Sequence, residues 1–241
     1  MRDADQVKPV RLSEYAPPAF LVESVDLDVD IQPGDTRVRS ELAMRRNPAS
    51  VDAPKHCILD GVELELIDIS IDGEPLQSAQ YRYDGQRLEL FAVPDDFVLV
   101  TEVRIEPEKN TALEGLYVSR GMYCTQCEAE GFRRITFFPD RPDVLSRFAT
   151  TVRADRADDP VLLSNGNPVD QGEDGGRHWV RWEDPVPKPC YLFALVAGDL
   201  AHVADEFETA SGRKVDLRIY AEPHDLDKLA HAMESLKRSM A

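Results

Sequence analysis

The sequence predicts a mainly β protein: an antiparallel β-sandwich over residues 1–200, then at 201–241 a hairpin and a helix that open a second domain. Three observations carry this expectation. Apolar and polar residues alternate with a period of two through one segment after another, as half-buried strands require. Turn pairs, Asp84-Gly85, Asn165-Gly166 and Gly175-Gly176, separate those segments at the spacing of an all-β fold. After Gly198 the character changes, and the final apolar residues recur at helical spacing.

Val25, Leu27, Val29 and Ile31 alternate with Asp26, Asp28 and Asp30, giving a strand with one polar face. Val38, Ser40, Leu42 and Met44 repeat the pattern. Val62, Leu64 and Leu66 then give way to Ile67, Ile69 and Ile71. One extra residue inverts the facing of a strand, so this switch of parity predicts a bulge or break near Leu66. Asp84-Gly85 predicts a hairpin turn between Tyr83 and a strand over 88–91. Leu99, Thr101, Val103 and Ile105 form another alternating set. Residues 179–182 read as a strand, and 190–197 as a strand buried on both faces. Ser211-Gly212 joins strands over 202–207 and 214–220, the second alternating Val215, Leu217 and Ile219. Asp225 is placed to cap a helix. On that helix Leu226, Leu229, Met233, Leu236 and Met240 form an apolar stripe that nothing in the sequence covers, so a truncated second domain is expected.

Hydrophobic residues at 42% allow an ordinary core, and 30% charge suits a soluble globular protein. The formal net charge is −17, from 28 basic against 45 acidic residues, with no run of Lys and Arg. Phosphate binding needs clustered cations, so no nucleic-acid partner is expected. The acidic balance suits cationic ligands such as a peptide ammonium, although its main effect is solubility. No stretch approaches the roughly 18 apolar residues of a membrane span, so no membrane partner is expected. Residues 1–8 lack the apolar region of a signal peptide. Four cysteines in a chain this long do not make a disulfide framework, and the expected location is cytoplasmic.

Cys124-x-x-Cys127 has a spacing that can hold zinc or form a redox pair. A structural zinc site needs four ligands, and the sequence holds no second C-x-x-C and no H-x-x-x-H, so a packing role is expected for both. His56, His178, His202, His224 and His231 form no metal pattern, and no H-E-x-x-H occurs. Asp140, Arg141 and Pro142 read as a tight turn, with Pro139 and Pro142 restraining the backbone and Asp140 accepting local amide bonds. Ser164 lies in no G-x-S-x-G elbow, and no Gly-rich phosphate loop is present. Taken alone, Glu128 reads as a solvated strand glutamate.

Longer strings change that reading. N-T-A-L-E-G-L-Y at 110–117, T-Q-C-E-A-E-G-F-R at 125–133 and F-F-P-D-R-P-D-V-L-S-R-F at 137–148 resemble the N-terminal domain of bacterial aminopeptidase N enzymes. S-N-G-N at 164–167 and P-K-P-C-Y-L-F-A-L-V-A-G-D at 187–199 extend the resemblance, which covers most of the chain from Pro17 onward. These enzymes are zinc metallopeptidases that remove single residues from peptide N-termini. The resemblance implies an N-terminal β-sandwich domain at 1–200 and, at 201–241, the truncated start of a thermolysin-like α/β catalytic domain. It implies that Glu128 binds the substrate α-ammonium and that Gln126 lines the pocket for the first side chain, with Cys127 beside them and not a ligand. Small, basic or apolar first residues are the implied preference. Zinc belongs to the parent enzyme, and none is expected on this chain, which lacks both H-E-x-x-H and the family's G-A-M-E-N motif. Peptide N-termini and the missing catalytic domain are the implied partners, and the chain alone is expected to be inactive. The alternatives are a non-catalytic β-sandwich binding or scaffolding module, and a redox or zinc protein using Cys124 and Cys127.

Overall fold

Most of the alternating segments form strands in the computed structural model, which describes residues 11–50 and 56–241. Residues 1–8, read above for the lack of a signal-like stretch, lie outside the described residues. The chain begins with the long strands β1 (Phe20–Asp30) and β2 (Thr36–Arg46). Shorter ones follow: β3 (Cys57–Asp60), β4 (Glu65–Ile71), β5 (Glu74–Pro75), β6 (Tyr81–Tyr83) and β7 (Arg87–Leu90), then the long β8 (Asp96–Ile105). Next come β9 (Gly115–Ser119), β10 (Met122–Gln126), β11 (Leu145–Asp155), β12 (Val161–Ser164), β13 (Asn167–Asp174), β14 (Arg177–Pro189) and β15 (Leu195–Gly198). The last elements are β16 (Ala201–Glu208), β17 (Lys214–Ala221) and α1 (Ala230–Met240).

One sheet of eight strands runs in the order β13-β14-β11-β1-β2-β8-β4-β5. Two smaller sheets, β3-β7-β6 and β12-β15-β10-β9, share a single core with it. Leu27, Leu42 and Leu99 come from the large sheet, Leu59 and Leu88 from the first small one, and Leu116, Tyr123 and Leu195 from the second. Alternation explains the large sheet directly. Val25, Leu27 and Val29 are buried, while Asp26 and Asp28 reach across to Arg181 and Arg153, each at 2.7–2.8 Å, and Asp30 pairs with Arg177. The register of β4 against β8 shifts between Leu66 and Asp68, where the parity switch places a bulge.

Three expectations are corrected. The large sheet is not wholly antiparallel: β1 and β11 run parallel, with Leu27 opposite Thr150. Alternation reports facing and is blind to direction, and β11 enters beside β1 after a long crossover instead of a hairpin. Residues 190–197 are not one doubly buried strand. Cys190–Leu192 is a 3-10 turn, Leu192 and Ala194 are exposed, and the strand β15 begins at Leu195. The side chain of Asn165 replaces the ladder there, donating to Leu192 O at 3.1 Å and accepting from the Ala194 N–H at 2.7 Å. Asp225 caps no helix. Pro223–Lys228 is a 3-10 turn, α1 starts at Ala230 without a side-chain cap, and Asp225 pairs with Lys228.

The apolar stripe has a neighbour after all. Met233 is buried, Leu226, Leu229 and Leu236 are half-buried, and Lys237 Nζ reaches Asp205 Oδ2 on β16 at 2.7 Å. Among the described residues no helix is long and apolar enough to cross a membrane.

Candidate functional site

β10 pairs with β9 on one side, Gln126 opposite Gly115, and with β15 on the other. Immediately after Gln126 the chain reverses, and the Gly131 N–H closes the reversal on Cys127 O at 2.8 Å. Only glycine fits at this closure. A Cβ on Gly131 would sit 2.3 Å from Gln126 O and 2.8 Å from the Gly115 N. Gly115 itself has φ +72°, and a Cβ there would lie 2.7 Å from Arg134 Cβ. The Glu128–Ala129 peptide bond is cis.

The turn therefore has an inner and an outer side. Cys127 points into the core at 2% exposure, whereas Gln126, Glu128, Ala129 and Glu130 are exposed. Gln126 Nε2 donates to the Glu128 main-chain O at 3.0 Å, so the two residues singled out in the sequence are neighbours in space. Among the described residues the Glu128 carboxylate makes no ion pair or side-chain hydrogen bond, while Glu130 lies 3.4 Å from Arg133. A carboxylate left open to solvent on a fixed turn is available to an incoming cation.

The support beneath this turn is aromatic and ionic. Phe132 is fully buried and packs edge-to-face on Phe138, Phe148 and Phe193, with centroids 5.1–5.9 Å away. Arg133 Nε donates to Asp140 Oδ2 at 2.8 Å, its main-chain N–H donates to the same oxygen at 3.2 Å, and its Nη2 donates to Asp140 O at 3.2 Å. Asp140 Oδ1 accepts from Cys190 Sγ at 3.0 Å. The tight-turn reading at 140–142 is thus half right. The Arg141 N–H bonds to Pro139 O at 2.7 Å, but the Asp140 carboxylate is buried and serves Arg133 and Cys190 instead of local amides. Neither this network nor Gly131 stands out in the sequence, because its partners lie seven and fifty residues apart.

All four cysteines are free. Burial, with Asp140 adding its charge, pushes the Cys127 thiol up to about 12, and burial with Asp140 drives the Cys190 thiol higher still. Thiols held neutral in this way are poor nucleophiles and poor metal ligands. Cys124 is half-buried opposite Tyr117. Among the described residues the group of three potential metal ligands is Glu222, His224 and Asp225, before α1, and it includes neither Cys124 nor Cys127. Lys228 already pairs with Asp225, and Arg120 lies 3.6 Å from Glu222. This group is partly exposed, and cationic side chains already take up its carboxylates.

Comparison with known proteins places this geometry in context. Residues 22–192 match the family model described as the Peptidase M1 N-terminal domain. Aminopeptidase N of Caulobacter vibrioides is 52% identical over 237 residues, covering 98% of this chain and 27% of that protein. Aminopeptidase N of Escherichia coli is 47% identical over 228 residues, covering 94% of this chain and 26% of its own length. A crystal structure of Legionella pneumophila aminopeptidase A in complex with aspartic acid matches with a TM-score of 0.92 at 34% identity, over 96% of this chain and 27% of that one. An M1 zinc metallopeptidase from Deinococcus radiodurans shares the fold at a TM-score of 0.71, 18% identity, and 85% and 48% coverage. The chain spans about 27% of the length of these aminopeptidases.

Proposed function

The chain belongs to the M1 zinc metallopeptidase family, as its N-terminal domain, and from that premise we propose that it supplies substrate α-amino recognition to an aminopeptidase. The observation that carries this reading is the exposed Glu128 carboxylate, uncompensated among the described residues and held on a turn anchored in the core. A free peptide N-terminus carries an ammonium, and an internal peptide nitrogen does not. A carboxylate facing that position selects for chain ends through charge-assisted hydrogen bonds. Gln126, bonded to the Glu128 main chain, is the side chain proposed to line the space for the first residue, with small, basic or apolar residues preferred.

In this reading residues 201–241 are the opening of a thermolysin-like catalytic domain, and that domain brings the zinc and the general base. The present sequence has neither H-E-x-x-H nor G-A-M-E-N, so the chain alone is proposed to bind ammonium weakly and to hydrolyse nothing. A single exposed carboxylate is heavily screened by water.

The test uses the sequence continued into its catalytic domain. Glu128→Gln is expected to raise KM for an alanyl anilide about 10- to 100-fold, the loss of one hydrogen-bonded charge pair, with an unchanged melting temperature. An unchanged KM overturns the reading. Hydrolysis by the zinc-supplemented chain alone, abolished by Glu128→Ala, would refute its proposed inactivity. The rival reading, a non-catalytic binding or scaffolding module, gains from the burial of Met233 on a helix whose Lys237 pairs with Asp205 on the hairpin. It predicts no dependence of any peptidase activity on Glu128.

A further inference from the structure

We infer that Asp140 is the positioning residue for the Glu128 turn, an inference that rests on the reading of Glu128 as the ammonium-binding group. Three donors from two distant segments converge on its buried carboxylate: the Arg133 main-chain N–H, Arg133 Nε and Cys190 Sγ. An ionised carboxylate is acceptor-only and can take all three, which no neutral side chain of this size can do. The Arg133 N–H lies two residues beyond the Gly131 N–H that closes the turn on Cys127 O. Between them Phe132 is locked in the aromatic cluster. Asp140 thus fixes one end of a short rigid path whose other end presents Glu128.

The phenylalanines would pack without an ion pair, and burying charges is seldom a net gain in stability. What the pair adds is direction. Charge-assisted bonds to a planar guanidinium and to a backbone amide fix both the rotation and the height of the segment. Asp60, 3.8 Å from Arg133, and Glu130, 3.4 Å away, share the guanidinium but accept nothing from the backbone of the turn.

Amide hydrogen exchange in this chain, followed by NMR, tests the inference without substrate. In Asp140→Leu the Gly131 amide is expected to exchange at least about tenfold faster while Leu27 and Leu42 in β1 and β2 keep their rates, as local opening requires. Asp140→Asn should restore most of the protection, since one oxygen still accepts from Arg133 while the amide faces the Cys190 sulfur. Arg133→Lys keeps the main-chain bond and loses the guanidinium fork, so an intermediate rate is expected, and it decides the matter if Asp140→Leu does not fold. An unchanged Gly131 rate in Arg133→Lys and in whichever Asp140 variants fold overturns the inference, as does uniform acceleration across β1, β2 and the turn. In the complete enzyme, Arg133→Lys should raise KM for an alanyl anilide with kcat held, and an unchanged KM severs the link to substrate. If Glu128→Gln also leaves KM unchanged, the ammonium reading has failed, whatever the exchange rates show.

Discussion

The segment from Cys127 to Asp140 buries Phe132, Ile135, Phe137 and Phe138 in the common core and fastens Arg133 to a buried carboxylate. Residues 201–241 bury two apolar side chains, Leu217 and Met233, and both lie outside that core. The hairpin β16–β17 and helix α1 are tied to each other by the exposed Lys237–Asp205 contact. The difference lies in what opening would cost. A turn fastened to the sandwich by a buried ion pair and aromatic packing must give up those contacts to open, whereas a segment with its own thin contacts opens more readily. A rigid proposed binding group on the first region and a more loosely held second region are what the proposed division between domains requires.

The sharpest way to break the comparison is Phe132→Ala. Removing a fully buried ring that touches three other phenylalanines should cost about 3–5 kcal/mol in urea unfolding. A loss near zero would mean that the turn is not part of the cooperative unit. Met233→Ala is the matching change in the other region. Its expected cost is about 2 kcal/mol, the low end for a core methionine, because the surroundings can collapse onto the gap. Exchange should accelerate in α1, β16 and β17 and leave β1 and β2 untouched. Acceleration throughout would show one cooperative body and erase the contrast.

The same contrast governs how much of the molecule is legible in the sequence. Alternation located β1, β2, β8 and β17, and the parity switch located the bulge at Leu66/Asp68, because a strand between water and core must write its facing into its residues. The hairpin at Asp84-Gly85 was legible because Gly85, at φ +89°, uses a conformation that glycine adopts without strain. The parallel pairing of β1 and β11 was not legible, since facing carries no direction. The 190–197 run misled because apolar residues in a short segment fit a strand and a turn equally well. Glu128 and Gln126 stood out only through resemblance, and the Asp140 network did not stand out at all. Its members are separated in sequence and are brought together by the fold.

Burial also reverses the sign of a pH effect between two aspartates. Asp159, buried in the connection after β11, has its carboxyl raised to about 6 by burial first and by Asp158, with His178 opposing and Asp155 adding a little. The folded state therefore holds this proton more tightly than the unfolded chain does. Stability is present below the ordinary aspartate range and is lost as pH rises from about 4 through about 6. Raising the carboxyl from the ordinary aspartate value to about 6 corresponds to a loss of about 2–3 kcal/mol. It is read as the difference in urea midpoint between the native chain and Asp159→Asn at pH 4 and at pH 7. Asp159→Asn should gain on the native chain over that interval, and a constant difference would count against the shift.

Asp205 on β16 behaves in the opposite way. The Lys237 hydrogen bond, assisted by the Glu206 N–H, holds its carboxyl below the usual aspartate value, so its contribution exists at neutral pH and fades on acidification. The pair is solvent-exposed, and ion pairs of that kind are weak and screened by salt. Lys237→Ala should therefore leave the unfolding of the sandwich unchanged, the smallest effect in the series. It should still speed exchange of the α1 amides at low ionic strength, and the acceleration should shrink as salt is added. If Lys237→Ala destabilised β1 and β2 as well, the hairpin and helix would be coupled to the sandwich through contacts stronger than one exposed pair. The proposed opening of a second domain would then have to be redrawn as part of the first.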